Sequence, residues 1–283
     1  MISIVKIGGG ENVARNNILD DVAQLILEGH RIVIVHGASG EIQRLGEFLG
    51  RPPKYITSPS GMRSRYTDKE ALQVALMAFS AVNKDIVAHL CRKSIRAVGL
   101  SGMDGWGVTG HRKQALRAFD NGHVRIIRDD WSARISSVNP SLIRCLLDNG
   151  FTPVISPPAL DHLDGPVNVD ADRLAAAIAV ALLPSHLFLL TNVPGLLEDK
   201  ADPSSLIQCV AEKDIERALQ LAEGRMKLKV LAAHEAVQGG VSQVVIADSR
   251  KVRPVRSAID SYGTTFAGSR SVKSANGPSG GAS

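Results

Sequence analysis

Two glycine-rich turns, each directly after a short run of β-branched residues, constrain the fold of this 283-residue chain most strongly. Residues 4–7 (IVKI) run into Gly8-Gly9-Gly10, and residues 32–35 (IVIV) run into residues 36–40 (HGASG). Short continuous apolar runs of this kind are typical of buried parallel strands. Glycine lets backbone N–H groups approach an anion closely, and helix N-termini favour negative charge. We therefore expect two neighbouring strands with bare backbone loops side by side at one end of a sheet.

The composition favours the same class of fold and excludes several others. Apolar residues make up 44% of the chain but aromatic residues only 4%, so Ala, Val, Leu and Ile must fill the core. No apolar run reaches the roughly 18 residues of a membrane span, and no secretory signal precedes residue 4. The three cysteines lack CxxC spacing, so we expect core thiols in a cytoplasmic protein, with no disulfide framework and no zinc site.

Strand and helix patterns alternate along most of the chain, which predicts an α/β fold with a mainly parallel sheet covered on both faces. The predicted strands are residues 4–7, 32–35, 97–100, 152–156, 187–190 and 244–247. The predicted helices are residues 17–28, 68–91, 141–149, 172–182 and 225–238. Residues 110–135 break this rhythm, because Asn121-Gly122 between two half-apolar runs predicts an exposed hairpin. Residues 268–283 are small, polar and rich in Gly and Ser, which predicts a disordered tail.

Positive charge is concentrated around that hairpin. Residues 91–144 hold ten Lys/Arg and four Asp/Glu, whereas the whole chain has a net charge of +5. Two interpretations stay open at this point. The segment is either a solvated basic face or a docking patch for an acidic partner, since clustered charge steers association.

The standard nucleotide and hydrolase motifs are absent. The chain has no G-x-x-x-x-G-K-[ST] segment, and the first glycine turn fails G-x-G-x-x-G because Val13 occupies the last glycine position. It also lacks G-x-S-x-G and H-E-x-x-H. A P-loop enzyme, a Rossmann dinucleotide enzyme, a serine hydrolase of the G-x-S-x-G type and a zincin are therefore not predicted.

Several charged residues nevertheless recur at predicted strand and helix ends. Lys6 points toward the same end of the sheet, where it is either a surface lysine or a point charge suited to a phosphate. Arg63 and Arg65 precede a long helix, where Arg65 could bind a carboxylate with two hydrogen bonds. Asp172 is either an N-cap or a buried acid that holds lysines. The remaining candidates are Asn168 and Asp170 at the same helix start, and Lys227 and Lys229 at a later one.

The order of these segments resembles the amino acid kinase superfamily, especially kinases that phosphorylate an acidic amino acid held on an amino-group carrier protein. The resemblance covers about residues 2–265 and is carried by RPPKYITSPSGMRSRYTD, AVGLSGMDG, VNVDAD, TNVPGLL and GRMKLKVLAAHEA. It implies a three-layer αβα sandwich over residues 1–267. It also implies an acceptor-binding lobe at residues 1–166, with the basic flap at about 110–135, and a nucleotide-binding lobe at residues 167–267.

The resemblance also implies residue roles. Lys6 and Lys229 would stabilise the transferring phosphoryl group and its leaving group, and Asp172 would position both lysines. The N–H of Gly37 would bind the acceptor carboxylate beside Ala38, and Arg65 would bind the second carboxylate with Asn168 beside it. The implied nucleotide-binding residues are Gly8, Gly9, Thr191, Asn192, Gly195 and Leu196. The basic residues implied to dock an acidic carrier are Arg112, Lys113 and Arg117.

The implied reaction is ATP-dependent phosphorylation of a side-chain carboxylate, with Mg²⁺ held mainly through the nucleotide and no metal site of the protein's own. A carboxylate is already ionised at neutral pH, so the reaction needs no general base. The implied substrate is carrier-linked 2-aminoadipate or glutamate, and free N-acetylglutamate is the alternative. A homodimer without nucleic-acid or membrane partners is also implied.

The second loop departs from the family pattern of His-Gly-Gly followed by an Asn. Ala38 replaces the second glycine and Ile42-Gln43 stands where the Asn is expected. Because a non-glycine residue resists positive φ, Ala38 leaves the identity of the acceptor open. It also leaves open a binding protein that has lost phosphoryl transfer.

Overall fold

The computed structural model describes residues 2–268 except 12, 60, 62, 121 and 122. The Asn121-Gly122 turn and the predicted tail beyond residue 268 lie outside the described residues. The described strands are β1 (Ile2–Ile7), β2 (Arg31–His36), β3 (Lys54–Thr57), β4 (Arg63–Tyr66), β5 (Ala97–Ser101), β6 (Val108–Arg112), β7 (Leu116–Asp120), β8 (His123–Ile127), β9 (Ala133–Val138), β10 (Thr152–Ser156), β11 (Ala159–Asp161), β12 (Gly165–Val167), β13 (His186–Thr191), β14 (Cys209–Ala211), β15 (Gln243–Asp248) and β16 (Thr264–Ala267).

The main sheet has eight strands in the order β14-β16-β15-β13-β1-β2-β10-β5. All neighbours are parallel except β15 and β16, which are antiparallel. The six strands predicted from apolar runs are the six consecutive strands from β15 to β5, so that prediction is confirmed. Strands β1 and β2 are neighbours in register from Ile2↔Arg31 to Ile7↔His36, which brings the two glycine loops to the same edge.

Helices cover both faces of this sheet. The described α-helices are α1 (Arg15–Leu27), α2 (Ser39–Phe48), α3 (Lys69–Arg92), α4 (Ser141–Asp148), α5 (Ala171–Leu182), α6 (Ile215–Leu221), α7 (Gly224–Gln238) and α8 (Pro254–Ile259). Five of them match the predicted helices to within two residues. Helix α1 ends before Gly29, which adopts a positive φ of 94° as a helix-terminating glycine should.

Side-chain alternation along the strands divides the core into two parts, one on each face. Ile4 of β1 and Val33 and Val35 of β2 pack in the cluster that contains α5 and α7. Ile32 and Ile34 point the other way and pack with α1 and α3. Since successive residues of a strand face opposite sides, Lys6 shares the face of Ile4, and His36 shares the face of Ile34. The sandwich is therefore three-layered, as predicted.

Two small sheets stand beside the main one, in the orders β12-β11-β6-β9 and β4-β3-β7-β8. The predicted hairpin is present as β7 paired antiparallel with β8, from Leu116↔Ile127 to Asp120↔His123. Strands β3 and β4 were not predicted; they form a second hairpin that joins the first through Thr57↔Phe119. The sequence around Arg63 and Arg65 is therefore a strand, β4, and not only the approach to α3.

One composition-based expectation, that of core thiols, needs correction. Cys91, Cys145 and Cys209 are all exposed, on the outer sides of α3 and α4 and at the start of β14, so they are not core thiols. Helix α3 is long and apolar enough by length and composition alone to cross a membrane. However, Leu72, Phe79 and Ile86 are buried in the protein, which is how the core helix of a globular domain meets the same criterion.

Candidate active site

A buried carboxylate between two lysines lies at the carboxyl end of the central strands. Asp172 Oδ1 is 2.7 Å from Lys6 Nζ and 2.9 Å from Lys229 Nζ, and Asp172 Oδ2 is 3.0 Å from Lys229 Nζ. All three residues are less than 7% exposed. Strand alternation explains the meeting, because Lys6 faces the layer that contains α5 and α7, which carry Asp172 and Lys229.

The electrostatics of this trio are those of an ion cluster with one excess positive charge. Burial alone raises the pKa of Asp172, but the ammonium groups of Lys229 and Lys6 more than offset it and hold that pKa well below its usual range. Burial lowers the pKa of Lys229 to about 8, with Lys6 acting in the same direction and Asp172 opposing it. The cluster is therefore suited to receive a negatively charged group that would restore a full ionic balance.

Asp170, and not Asp172, is the N-cap of α5. The Asp170 carboxylate accepts hydrogen bonds at 3.0 Å from the N–H groups of Asp172 and Arg173. Of the two interpretations of Asp172, the N-cap is wrong and the buried acid that holds lysines is what the structure has. The cap fixes the first turn of the helix, where Asp172 projects toward the sheet.

The two glycine loops touch through their backbones. Gly40 N–H donates to Gly9 O at 2.7 Å, and Gly37 N–H donates to Ile7 O at 3.0 Å. A Cβ on Gly9 would lie 2.3 Å from Ala38 N and 2.5 Å from Ser39 N. No side chain fits there, so glycine at position 9 is required by the close approach of the second loop.

The predicted role of Gly37 needs correction, because its N–H is already used by Ile7 O. In the part of the chain that the structure describes, the N–H groups of Ala38 and Ser39 have no hydrogen-bond partner. They lie at the N-terminus of α2, where backbone donors and the helix dipole favour an anion. These two N–H groups, and not that of Gly37, are the donors available to an acceptor carboxylate.

Ala38 causes no strain. Its φ is −139°, a conformation open to any residue, and its side chain is 2% exposed and packs in the core on the α3 face. The methyl group therefore points away from the loop's free N–H groups. The expected obstruction by Ala38 is not present, and Ile42 is likewise packed in that core.

Arg65 lies against the second loop. Its Nη2 donates to Ser39 O at 3.2 Å, while its Nε is buried without a partner in the described structure. The side chain of Arg63 instead stacks on the Tyr55 ring at 4.5 Å and is exposed. Of the two competing arginines, Arg65 is the one next to the loop that holds the free donors.

Asn168 is linked to the Arg65 strand by a short segment around Trp131. Trp131 N–H donates to Thr67 O at 2.7 Å, and Asn168 N–H donates to Trp131 O at 2.9 Å. Asn168 Oδ1 and Thr67 Oγ1 are buried and have no partner among the described residues. Unsatisfied buried polar atoms are costly, so these two and Arg65 Nε form a set of groups prepared for a polar ligand.

The predicted nucleotide-binding residues differ in whether they lie at the ends of the central strands or pack inside the protein. Thr191 ends β13, the neighbour of β1, and Asn192 after it is exposed. Leu196 is 2% exposed in the core and its N–H donates to Thr264 Oγ1, so neither its side chain nor its N–H is available to a ligand. Gly195 packs against Thr264 and Leu206, which makes it a packing residue. Gly8 borders Val13 and the carbonyl oxygen of Leu190.

The three predicted docking residues are not equivalent. Arg112 is largely buried: it stacks on the Trp131 ring at 4.3 Å, donates to the backbone carbonyls of Asp130 and Arg128, and pairs with Asp164 at 3.4 Å. Lys113 is half-buried, and burial lowers its pKa. Arg117, on β7, is exposed. Arg112 therefore uses its guanidinium in contacts inside the protein, Lys113 is partly exposed, and Arg117 is exposed to solvent.

The described residues contain no cluster of three or more His, Cys, Asp or Glu side chains that could hold a metal ion. Both oxygens of Asp172 are engaged by lysines.

Comparison with known proteins identifies the family. The profile described as "Amino acid kinase family" matches residues 1–248. The chain belongs to the amino acid kinase family. Among curated members, "[LysW]-aminoadipate kinase" from Deinococcus radiodurans is 43% identical over 262 residues, covering 92% of this chain and 90% of that protein. The protein of the same name from Thermus thermophilus is 40% identical, covering 92% and 98%.

A third relative, "[LysW]-aminoadipate/[LysW]-glutamate kinase" from Metallosphaera sedula, is 36% identical and covers 92% of this chain and 98% of its own. Solved structures agree on the fold. The smu.665 protein from Streptococcus mutans aligns with a TM-score of 0.74 at 23% identity, covering 94% of this chain and 98% of its own. Carbamate kinase from Giardia lamblia bound to AMP-PNP aligns with a TM-score of 0.65 at 15% identity over the same fractions.

Several polar or aromatic residues near the carboxyl ends of the central strands were not singled out from the sequence. They are Asn83 in α3, Thr67 after β4, Asp130 and Trp131 before β9, and Asp248 at the end of β15. Asp130 is 1% exposed and accepts hydrogen bonds from Thr67 N–H and Ser132 N–H. Of these residues, only Thr67 lies in one of the segments that carry the family resemblance, RPPKYITSPSGMRSRYTD. The others contact residues that are distant in sequence.

The contact between the loops generates a first prediction. Gly9→Ala forces a methyl group onto the backbone of the second loop, and we expect kcat to fall by about 100-fold or more, because small displacements of reacting groups carry that cost. Gly10→Ala is the matched control, since its Cβ has only Arg225 Nη1 at 3.9 Å. Steady-state kinetics measures both, and equal activity of the two variants would contradict the described loop contact.

Lys229 generates a second prediction. If its ammonium form is required, kcat/KM for ATP should fall about tenfold per pH unit above a pKa of about 8, the value in the free enzyme. Lys229→Arg should lose this alkaline limb because a guanidinium stays charged, whereas Lys227→Ala, on the exposed side of the same helix, should keep it. A wild-type profile that is flat between pH 7 and 9.5 would refute the requirement.

Proposed function

We propose that this protein is an ATP-dependent kinase that phosphorylates the side-chain carboxylate of 2-aminoadipate or glutamate attached to an amino-group carrier protein. The observation that carries the proposal is the buried Lys6–Asp172–Lys229 cluster beside two touching glycine loops. The names of the relatives supply the substrate class, since those from Deinococcus and Thermus are called [LysW]-aminoadipate kinase and that from Metallosphaera also names [LysW]-glutamate.

The proposed reaction needs alignment and charge neutralisation but no proton transfer. An ionised carboxylate oxygen of the acceptor attacks the γ-phosphorus of ATP, the bond from the γ-phosphorus to the β,γ-bridging oxygen breaks, and ADP leaves with that electron pair. The products are an acyl phosphate and ADP. Lys6 would neutralise charge on the transferring phosphoryl group and Lys229 that on the leaving group. Asp172 would hold both ammonium groups in place and keep their mutual repulsion tolerable.

The acceptor would lie between the second loop and β4. The free N–H groups of Ala38 and Ser39 suit the reacting carboxylate, and Arg65 suits the second carboxylate of the carried amino acid. Asn168 and Thr67, whose buried oxygens lack partners, would complete the acceptor's polar contacts. Gly37 contributes by close approach and not by donating its N–H.

The nucleotide would approach from the side of β13, next to β1. Gly8 and Gly9 would border the phosphates, and Thr191 and Asn192 would lie nearer the nucleoside. We propose that Mg²⁺ enters with ATP and is held mainly by phosphate oxygens, because Asp172 is already committed to the lysines. The division of the chain into an acceptor lobe at residues 1–166 and a nucleotide lobe at 167–267 follows from this proposal, as the two sets of strands meet between β1 and β13.

A carrier protein is the proposed partner, with the β7–β8 hairpin as its docking element. Arg117 is the exposed member of the three basic residues singled out above, and it lies on the same four-stranded sheet as Arg65. A carrier bound to this sheet could therefore present its tethered amino acid to Arg65. A homodimer in the cytoplasm is part of the same proposal and rests on the family resemblance.

The function is tested by trapping the product. With ATP, Mg²⁺ and carrier-linked 2-aminoadipate or glutamate, hydroxylamine should convert the product to a hydroxamate, and free N-acetylglutamate should react poorly in the same assay. Lys6→Ala and Lys229→Ala should each lower kcat by about 10²–10³-fold, the usual cost of losing one electrostatic donor. Lys227→Ala is the control. Absence of hydroxamate with every acceptor would favour a non-catalytic binding protein and reject the proposal.

Docking is tested separately by the salt dependence of carrier binding. We expect Arg117→Ala to weaken carrier binding by about threefold at low salt and by less at 0.5 M NaCl, because exposed charges are screened. Lys213→Ala, an exposed lysine on the nucleotide side, is the matched control. Arg112→Ala is unsuitable since it also removes internal contacts. Equal carrier affinity of Arg117→Ala and wild type at low salt would exclude this docking element.

A further inference from the structure

A second buried polar assembly lies next to the second glycine loop, on the opposite face of the sheet from Lys6, Asp172 and Lys229. His36 ends β2 and is 0% exposed. Its Nδ1 is 3.3 Å from Gly37 O, and its Nε2 is 3.1 Å from Asn83 Nδ2. Asn83 lies in the middle of α3 and is 4% exposed. The helix therefore reaches the loop through one amide and one imidazole.

The surrounding carbonyls determine how these two side chains are oriented. Asn83 Nδ2 is 2.9 Å from Val154 O and 3.2 Å from Leu100 O. Carbonyl oxygens can only accept, so the nitrogen of the amide must face them, and it must also be the group that faces His36. His36 Nε2 then accepts, which places the ring proton on Nδ1, where it can donate to Gly37 O. With this tautomer all three groups that face the Asn83 amide nitrogen are acceptors, and they share its two N–H donors.

Asn83 links three neighbouring strands at the end where the acceptor would bind. His36 belongs to β2, Val154 to β10 and Leu100 to β5, and these strands are adjacent in the main sheet. Gly99 of β5 leaves the room that this requires, because a Cβ there would lie 1.9 Å from Asn83 Oδ1. A larger residue at position 99 would clash with the Asn83 side chain, and an apolar residue at position 83 would lose its hydrogen bonds.

His36 itself is not suited to proton transfer. Burial lowers its pKa to about 4, and the charges of Arg15 and Lys6 act in the same direction. The ring is therefore neutral at physiological pH, and both nitrogens have partners inside the protein. A buried neutral network of this kind contributes rigidity and orientation.

We propose that Asn83, acting through His36, is a positioning residue that fixes the second glycine loop for the acceptor. The proposal rests on the proposed function, in which the N–H groups of Ala38 and Ser39 bind the acceptor carboxylate. Gly37, the residue that His36 contacts, immediately precedes those two donors. Loss of the Asn83 amide frees the imidazole and allows the loop to shift, so the acceptor loses affinity while the nucleotide side is unaffected.

The test is a comparison of acceptor and nucleotide kinetics. Asn83→Leu, which keeps the number and branching of the side-chain heavy atoms and removes the amide, should raise KM for the carrier-linked acceptor by about tenfold or more, the effect of about one to two buried hydrogen bonds. KM for ATP and binding of AMP-PNP should change by less than twofold. Lys84→Leu, an exposed neighbour on the same helix, is the control and should match wild type. Equal changes in the acceptor and ATP constants would mean a general structural defect and would overturn the proposal.

Gly99→Ala provides a second variant, in β5, that leaves the residues of the second loop and of helix α3 unchanged. Its methyl group must displace the Asn83 amide, so it should reproduce the acceptor defect of Asn83→Leu, and the double variant should be no worse than either single variant because both remove one assembly. If Asn83→Leu fails to fold, Gly99→Ala alone decides. Unchanged acceptor KM in a folded Gly99→Ala variant would overturn the proposal.

A spectroscopic readout separates this proposal from the function on which it rests. In ¹⁵N-histidine spectra, assigned with His36→Gln, wild-type His36 should show the Nδ1–H tautomer alone, and Asn83→Leu should shift it toward a mixture. Wild-type protein without any acyl phosphate product would refute the proposed function, whatever the tautomer. An active enzyme in which Asn83→Leu changes the tautomer but leaves the acceptor KM within twofold would refute only the positioning role.

Discussion

One carboxylate between two buried ammonium groups is the interaction on which the rest of this site depends. Lys6 and Lys229 come from segments more than 200 residues apart, and without Asp172 their charges would repel each other in a low-dielectric environment. The carboxylate makes the pair tolerable but does not neutralise it. The remaining positive charge is what makes this edge of the sheet attractive to a phosphoryl group, and the fold supplies it before any ligand arrives.

Because side chains alternate along a strand, the polar residues at the ends of β1 and β2 point to opposite faces of the sheet. On one face, Lys6 reaches the helices that carry Asp172 and Lys229. On the other face, His36 reaches the long helix that carries Asn83. Strands β1 and β2 thus each direct a polar side chain, Lys6 or His36, into a different layer close to the glycine turn that follows the strand. In the proposed reaction, the layer with the lysines would bind the donor phosphate, and the opposite layer would support the loop that holds the acceptor.

The sequence predicted most of the architecture because its strongest signals are local. The six parallel strands are continuous apolar runs, and the helices that cover them have clear periodicity, so both kinds of element follow from neighbouring residues. Strands β3 and β4 were not predicted from the sequence, because they are short and polar and are stabilised by pairing with a distant hairpin. The exposed positions of the cysteines were mispredicted because thiols are usually buried, a tendency of the residue type that tertiary context overrides.

Within the site, side-chain identities were easier to predict than hydrogen-bond partners. The meeting of Lys6, Asp172 and Lys229 follows from motif resemblance, but the occupied N–H of Gly37 and the harmless conformation of Ala38 depend on the register of β1 against β2. Arg112 illustrates the same limit. Its charge was counted as free in the sequence, yet Trp131 and Asp164 engage it in the folded protein.

The backbone contact between Gly9 and the second loop has a consequence for tolerance to sequence change. The spacing between the two loops is set by main-chain bonds such as Gly40 N–H to Gly9 O, and no side chain fits at position 9. In the proposed reaction, substitutions in the surrounding residues would alter which acceptor fits without altering the distance between the two loops. The distance between the loops thus depends on the lack of a Cβ atom at Gly9.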